Sequence, residues 1–243
     1  MAGGAYAALS GLRARIEQLD RLAADIANAG TAGYKAERVT SITAERADFR
    51  RALQAAVDVA PGPGRLDLRN GTVASTGRDL DFAIEGRGFF EVETPGGLRY
   101  TRNGNFEVRA DGTLTTRDGM PVHGVDPKDP RIRLRPGALA IDADGTIRVD
   151  DTVVGKLKLV EFDDYSRFAR EEAGRFRPSP GASARPAADA AVRQRALEQS
   201  NVSLVERVAE LTELSRGFEA LQRGLGVLFN DIEGRAISEF GKR

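Results

Sequence analysis

The chain has 243 residues, 36 of them basic and 36 acidic, with one histidine and no cysteine. Balanced charge removes the global field that would draw it to nucleic acid or an anionic membrane. A lone His123 without cysteine leaves little material for a zinc site, a disulfide or a nucleophile with an imidazole base, so the expected partners are proteins and no cofactor is expected.

No stretch reaches the roughly 18 consecutive apolar residues of a spanning helix. "MAGGAYAALSGLRARIEQL" lacks the charged head and apolar block of a cleaved signal. Leu9, Leu12, Ile16, Leu19, Ala23 and Ile26 follow one another at steps of 3 and 4, the alternation of a heptad seam. Arg13, Arg15, Glu17, Asp20, Arg21 and Asp25 fall off that stripe, so one face of the helix needs cover. Asn28 and Gly30 tolerate the left-handed conformation that ends a helix, which makes "NAGTAGYK" a stop signal. Further on, residues 44–57 place Phe49, Leu53 and Val57 on one helical face, until "APGPG" at 60–64 starts an extended run.

From Leu80 the period becomes two. Leu80, Phe82 and Ile84 are read as alternating with polar neighbours, and turn dipeptides follow at Gly96-Gly97, Asn103-Gly104, Asp111-Gly112, Asp118-Gly119 and Asp144-Gly145. Such pairs accept the positive φ of hairpin turns. An antiparallel β domain over 80–177 is expected, with strands near 81–93, 98–108, 113–116, 146–149 and 153–162. "RPSPGASARPAADAA" lacks large apolar residues and reads as an extended connector.

Beyond it, Leu204, Val208, Leu211, Leu214, Phe218, Leu221, Leu225, Leu228 and Ile232 form a second seam, with a stammer at Leu214. Ser203 and Glu206 have the spacing of a capping box. A helix from there to Ile232 spans about 45 Å at 1.5 Å per residue. The N-terminal seam is several turns shorter, so pairing the two leaves apolar surface for other chains; the alternative packs both helices on the protein's own sheet. The fold expected is mixed α and β: an N-terminal helix over 1–34 and a C-terminal helix over 203–243 paired as a coiled-coil-like domain, connectors over 35–79 and 178–202, and a central antiparallel all-β domain.

Motifs that could carry chemistry fail on context. Gly86-Arg87-Gly88 lacks the third glycine and the following helix of a dinucleotide fingerprint, and reads as a tight bend passing close to Phe89 or Phe90. Asp142 and Asp144 open like a calcium loop, but Ile147 and Val153 occupy its glycine and glutamate positions, so a hairpin turn is expected. Asp150-Asp151 and Asp163-Asp164 read as solvated turn charges, and His123 as a surface or turn histidine. An enzyme or carbohydrate-binding module would use a β-domain surface near Arg99, Arg102 and Asp118, whereas zero net charge assigns Arg99 and Arg102 to strand-face packing or a subunit contact.

Three stretches, "DIANAGTAGYKAERV", "LDFAIEGRGFFEVETPGGLRYTRNGNFEVRADGTLTTRDGMPV" and "ALEQSNVSLVERVAELTELSRGFEALQRGL", resemble the flagellar rod and hook proteins, in that family's order and at both ends of the chain. Length favours a proximal rod component over a distal rod or hook-type subunit. The resemblance implies a non-enzymatic structural subunit of a hollow axial tube that crosses the periplasm and carries torque from motor to hook. It implies export through the flagellar type III apparatus without signal cleavage, with other rod subunits and neighbouring axial proteins as partners and neither nucleic acid nor membrane insertion. On this reading Leu9, Leu12, Ile16, Leu19, Ile26 and the nine C-terminal seam residues serve helix packing and assembly. Asn28, Gly30, Gly33, Tyr34, Ser200, Asn201 and Val202 form the junction where the chain turns from helix to β layer.

Overall fold

The computed structural model describes residues 2–38, 65–165, 168–219 and 222–223, with side chains of the first helix described from Arg13 onward. The expected helix over 44–57 and the "APGPG" run lie outside these residues, as do Leu221, Leu225, Leu228, Ile232 and the side chains of Leu9 and Leu12. The chain divides into two compact units: Met1–Ala27 with Val39–Gly64 and Ser203–Arg243, and Asn28–Arg38 with Arg65–Val202.

The first unit contains helix α1, Ala2–Ala27, and a helical stretch over 204–219. One half of the capping box is made, with the Glu206 amide donating to the Ser203 hydroxyl at 3.5 Å. The coiled-coil pairing expected of these helices is not what the structure contains. Among the described side chains of α1 the buried ones are Ala14, Leu22 and Asp25, a face roughly 130° round the helix from the predicted seam at 100° per residue. Seam residue Ile16 is 44% exposed and Ala23 is exposed, while Leu19 and Ile26 are half-buried. On the C-terminal helix Leu204 and Val208 are exposed, Leu211 and Phe218 half-buried, and Leu214 buried. The contacts between the two helices include a polar pair, Arg207 to Asp25 at 3.3 Å, and the Arg15 guanidinium against Gly217. Heptad spacing establishes that a helix has an apolar stripe; it does not say what covers that stripe.

The second unit is antiparallel throughout its described ladders. Its largest sheet has six strands in the order Ala169–Glu171, Arg175–Arg177, Gly97–Thr101, Phe89–Thr94, Leu159–Phe162 and Ala184–Pro186. A three-stranded sheet joins Leu139–Ile141, Thr146–Val149 and Thr152–Lys156, and four two-stranded ladders complete the unit. The strand Phe89–Thr94 is covered on both faces. Phe90 and Val92 enter one core with Phe82, Phe106 and Leu114, and Phe89 enters a second with Tyr100, Phe162, Phe168 and Phe176. Edge-to-face ring pairs knit each: Phe90 to Phe106 at 5.1 Å, and Tyr100 to Phe162 at 4.8 Å.

The single strand expected over 81–93 is two, Phe82–Glu85 and Phe89–Thr94, in different sheets. Gly86 and Gly88 take φ of 93° and 140° between them. Asp189 approaches this bend at Gly86 and Ala187 at Gly88. The Asp111-Gly112, Asp118-Gly119 and Asp144-Gly145 pairs do carry a left-handed glycine; Asn103-Gly104 does not, and Gly104 instead packs against the backbone of Phe82. Residues 184–198, read from composition as connector, supply three strands: Ala184–Pro186 pairs with Leu159–Phe162, Ala191–Gln194 with Phe82–Glu85, and Ala196–Glu198 with Val73–Ser75. Ala184–Pro186 is an exposed edge strand, which needs no large apolar residues, and Ala196–Glu198 is a buried strand of only three residues.

Candidate functional site

The chain passes between the two units after residues 27, 38, 64 and 202, and on the β unit the segments flanking these points are stitched to one another. Glu37–Arg38 pairs with Arg65–Leu66. The Asp67 amide donates to the Ala36 carbonyl at 2.8 Å, the Gly33 amide to the Glu198 carbonyl at 2.7 Å, and the Asn201 amide to the Tyr34 carbonyl at 3.4 Å. Asn201 binds with both ends of its side chain: Oδ1 accepts from the Ala36 amide at 2.7 Å, and Nδ2 donates to the carbonyls of Asp67 and Arg69 at 2.7 and 3.0 Å.

At the centre is a buried charge cluster. Glu198 Oε1 accepts from Lys35 Nζ at 2.5 Å and from the Gly71 amide at 2.9 Å, and Oε2 accepts from Arg102 at 3.1 Å. The Lys35 and Glu198 side chains have no exposed surface and that of Arg102 has 3%. Lys35 also donates to the Arg69 carbonyl, and Arg102 to the carbonyls of Ile84 and Gly86 with its guanidinium over the Phe89 ring. Burial pulls the Lys35 ammonium below the ordinary lysine range, against the opposing pull of Glu198. Burial likewise lowers Arg102, again opposed by Glu198. Three charges are held away from bulk solvent because each meets an opposite charge and further hydrogen bonds. Beside them Asp67 takes a fork from Arg69 and an ion pair from Arg38 at 2.8 Å.

The structure brings most of the predicted junction residues together and redefines their roles. Gly33, not Asn28 or Gly30, takes the left-handed conformation, with φ of 69°. A Cβ there would lie 2.3 Å from the Asn103 amide nitrogen and 2.4 Å from the Arg102 carbonyl carbon. Asn28 instead closes a turn, its carbonyl accepting from the Thr31 amide and its Oδ1 from the Thr31 hydroxyl. Gly30 is exposed with nothing near it. Tyr34 is buried, and Arg170 stacks over its ring and donates to its hydroxyl. The Ser200 hydroxyl accepts from the Val202 amide. Lys35, Arg102 and Glu198, the centre of the cluster, were not among the predicted junction residues. No local signal marks them: Lys35 is followed closely by Glu37 and Arg38, and Glu198 by Gln199, Ser200 and Asn201, so neither reads as a lone charge in an apolar setting.

The alternative enzyme surface does not assemble. Arg102 is buried, Arg99 pairs with Glu171 at 2.6 Å, and Asp118 is engaged by Thr116 and Arg175. His123 is no surface histidine: it is 8% exposed, with Nδ1 2.9 Å from the buried Glu91 carboxylate, which also accepts from Lys158. Asp144 accepts from the Thr146 amide and from Lys156, and Asp150-Asp151 form a turn with both φ positive. Among the described residues no group of three or more His, Asp or Glu is placed to hold a metal, and no helix is long and apolar enough to cross a membrane.

Residues 83–149 match the family described as flagellar hook protein FlgE/F/G D1 domain, and residues 193–225 that of flagellar basal body rod FlgEFG protein C-terminal. The chain is 34% identical over 245 residues to the flagellar basal-body rod protein FlgF of Caulobacter vibrioides, covering 98% of this chain and 97% of that one. It is 33% identical to FlgF of Rhizobium meliloti, with 99% of each covered. To the rod protein FlgG of Bacillus subtilis it is 29% identical, covering 88% of this chain and 90% of that one.

Proposed function

This chain belongs to the family of flagellar basal-body rod and hook proteins, and from that premise we propose that it is a structural subunit of the rod, in its proximal part. As such it assembles with neighbouring axial subunits into a hollow tube that spans the periplasm and carries torque to the hook, after export through the flagellar type III apparatus without signal cleavage. The observation that carries this reading is the end-to-end match to rod proteins. A physical argument supports it: Ile16, Leu204, Val205 and Val208 leave an apolar surface exposed on the unit built from the chain's two ends, and adjacent subunits would cover it. The helix-packing residues and the junction then divide the work, the first meeting neighbours and the second tying the β unit to the segments that carry them.

The test is a deletion of residues 203–243 in a strain whose only copy is the truncated gene. Basal bodies that stop short of a complete rod are expected, and normal basal bodies would refute the proposal. A cryo-electron map of the intact basal body with this chain placed checks its position along the rod.

A further inference from the structure

We propose that the segment 196–202 is a latch set by Glu198: the β core folds first, and the junction closes only when this segment, late in the chain, seats on it. The biological weight of the latch rests on the rod reading; its existence does not.

The two cores and the junction draw on different parts of the chain. Buried members of both cores lie between Phe82 and Phe176, Val192 apart. The N-terminal return, by contrast, is held mainly by residues that come after 195. Gly33, Lys35, Ala36 and Gly71 bond to Glu198 or Asn201, the Gln199 amide donates to the Thr72 carbonyl at 2.8 Å, and Val73–Ser75 has Ala196–Glu198 as its ladder partner. Contacts of this return that do not need the latch include Tyr34 and Glu37 to Arg170, Asn70 to the Gly86 carbonyl, Ser75 and Thr76 to the Arg195 carbonyl, and Leu66 and Leu68 against the second core.

Charge makes the closure one of two states. Without Glu198, Lys35 and Arg102 would be two cations in a dry site with no carboxylate between them, an arrangement that opens to water rather than persists. Once Glu198 arrives, both of its oxygens are filled from three directions and the return is fixed. A chain passed through a narrow channel therefore cannot complete the junction until residues up to about 202 are free to fold. The geometry that presents the chain's two ends for assembly is then made last.

The experiment is hydrogen exchange on the full-length chain, wild type and Glu198→Gln. In the variant the amides of Gly33, Asp67, Gly71 and Gln199 should lose on the order of 100-fold in protection, while those of Val122, Leu134 and Leu157, which bond within the core, change by less than about threefold. Equal loss in both groups would mean a single cooperative unit and overturn the latch, as would unchanged junction protection. Pulse-labelled refolding of the wild type gives a second readout that no variant can confound. Core amides should be protected before junction amides, and simultaneous or reversed protection would overturn the order. Should the chain prove absent from basal bodies, the rod reading falls while both exchange results stand on their own.

Discussion

Replacing Gly33 by alanine tests whether the turn at the junction is a fixed structural element. The residue takes a left-handed conformation that costs an alanine about 1 kcal/mol. Its Cβ would sit 2.3 to 2.7 Å from backbone atoms of Arg102 and Asn103, atoms that no side-chain rotation can move. Relief requires the turn to back away, which gives up the amide bond to the Glu198 carbonyl, worth about 1 kcal/mol, and overpacking adds roughly another 1 to 3. A loss of at least about 3 kcal/mol is expected. At about 2 kcal/mol per molar urea, that lowers the midpoint of the β unit's transition by at least about 1.5 M, followed by near-ultraviolet circular dichroism of Tyr34, Tyr100 and Tyr165. Gly30→Ala is the matched control: nothing lies within 4 Å and its φ is not positive, so its midpoint should stay within about 0.3 M of wild type. Equal midpoints for the two variants would refute the steric account of the turn.

Tyr100 is pushed up to about 12 by burial, reinforced by the charge of Glu91 and a hydrogen bond to it. A raised folded value means that its contribution is intact below the unfolded value of about 10 and is lost as pH rises towards 12. Absorbance at about 295 nm should show a late phenol ionisation for Tyr100 that Glu91→Gln moves to lower pH. For Asp67, burial works upward, but the Arg69 fork and Arg38 outweigh it and hold the carboxyl below the usual range. Its stabilisation is therefore present above about pH 4 and lost as pH falls through the folded value; Asp67→Asn should flatten the acid limb of a stability titration. The cost near neutrality is under about 1 kcal/mol, because both guanidiniums are largely solvated. Leu204→Ser with Val208→Ser should leave the monomer's stability within about 0.5 kcal/mol, since both side chains are exposed, yet block incorporation into basal bodies. Normal incorporation would remove that stripe from the assembly surface.

What could be read in the sequence was what local pattern encodes. Alternation at Phe82 and Ile84, and the aspartate-glycine turns, located the β unit because a strand's faces and a hairpin's φ are properties of a few neighbouring residues. The same logic misjudged 184–198, since an exposed edge strand such as Ala184–Pro186, or one as short as Ala196–Glu198, shows no run of large apolar residues. It also misjudged the helices: the stripe through Ile16 and Val208 is present, but the helix face that is buried carries Ala14, Leu22 and Asp25. Lys35 and Glu198 were illegible for a different reason. They meet across 163 residues of chain, and no window contains both.

An ionic centre at the junction, where an apolar one would cost less desolvation, has a consequence that follows from register. Ala196–Glu198 pairs with Val73–Ser75 through only three residue pairs, and the side chains of Val73–Ser75 are small or only half-buried, so that strand's own packing does little to fix the register. Slippage would bring Leu197 or Gln199 to the place of Glu198 and leave two buried cations facing a neutral side chain. That penalty, several kcal/mol for breaking one partner of a buried pair, exceeds what three backbone pairs can regain. The cluster therefore acts less as a source of stability than as a selector of register, fixing where the chain leaves the β unit at Val202. On the rod reading, in which the two ends meet neighbouring subunits, a one-residue error shifts the chain's exit from the β unit by about 3.3 Å. Lys35→Met combined with Arg102→Met and Glu198→Leu, which keeps the volume and removes the charges, should accordingly retain a folded β unit while allowing more than one pairing of 73–75 with 196–198. Two sets of amide resonances for Gly71 to Ser75 are the expected signature, and a single sharp set identical to wild type would refute the selector role.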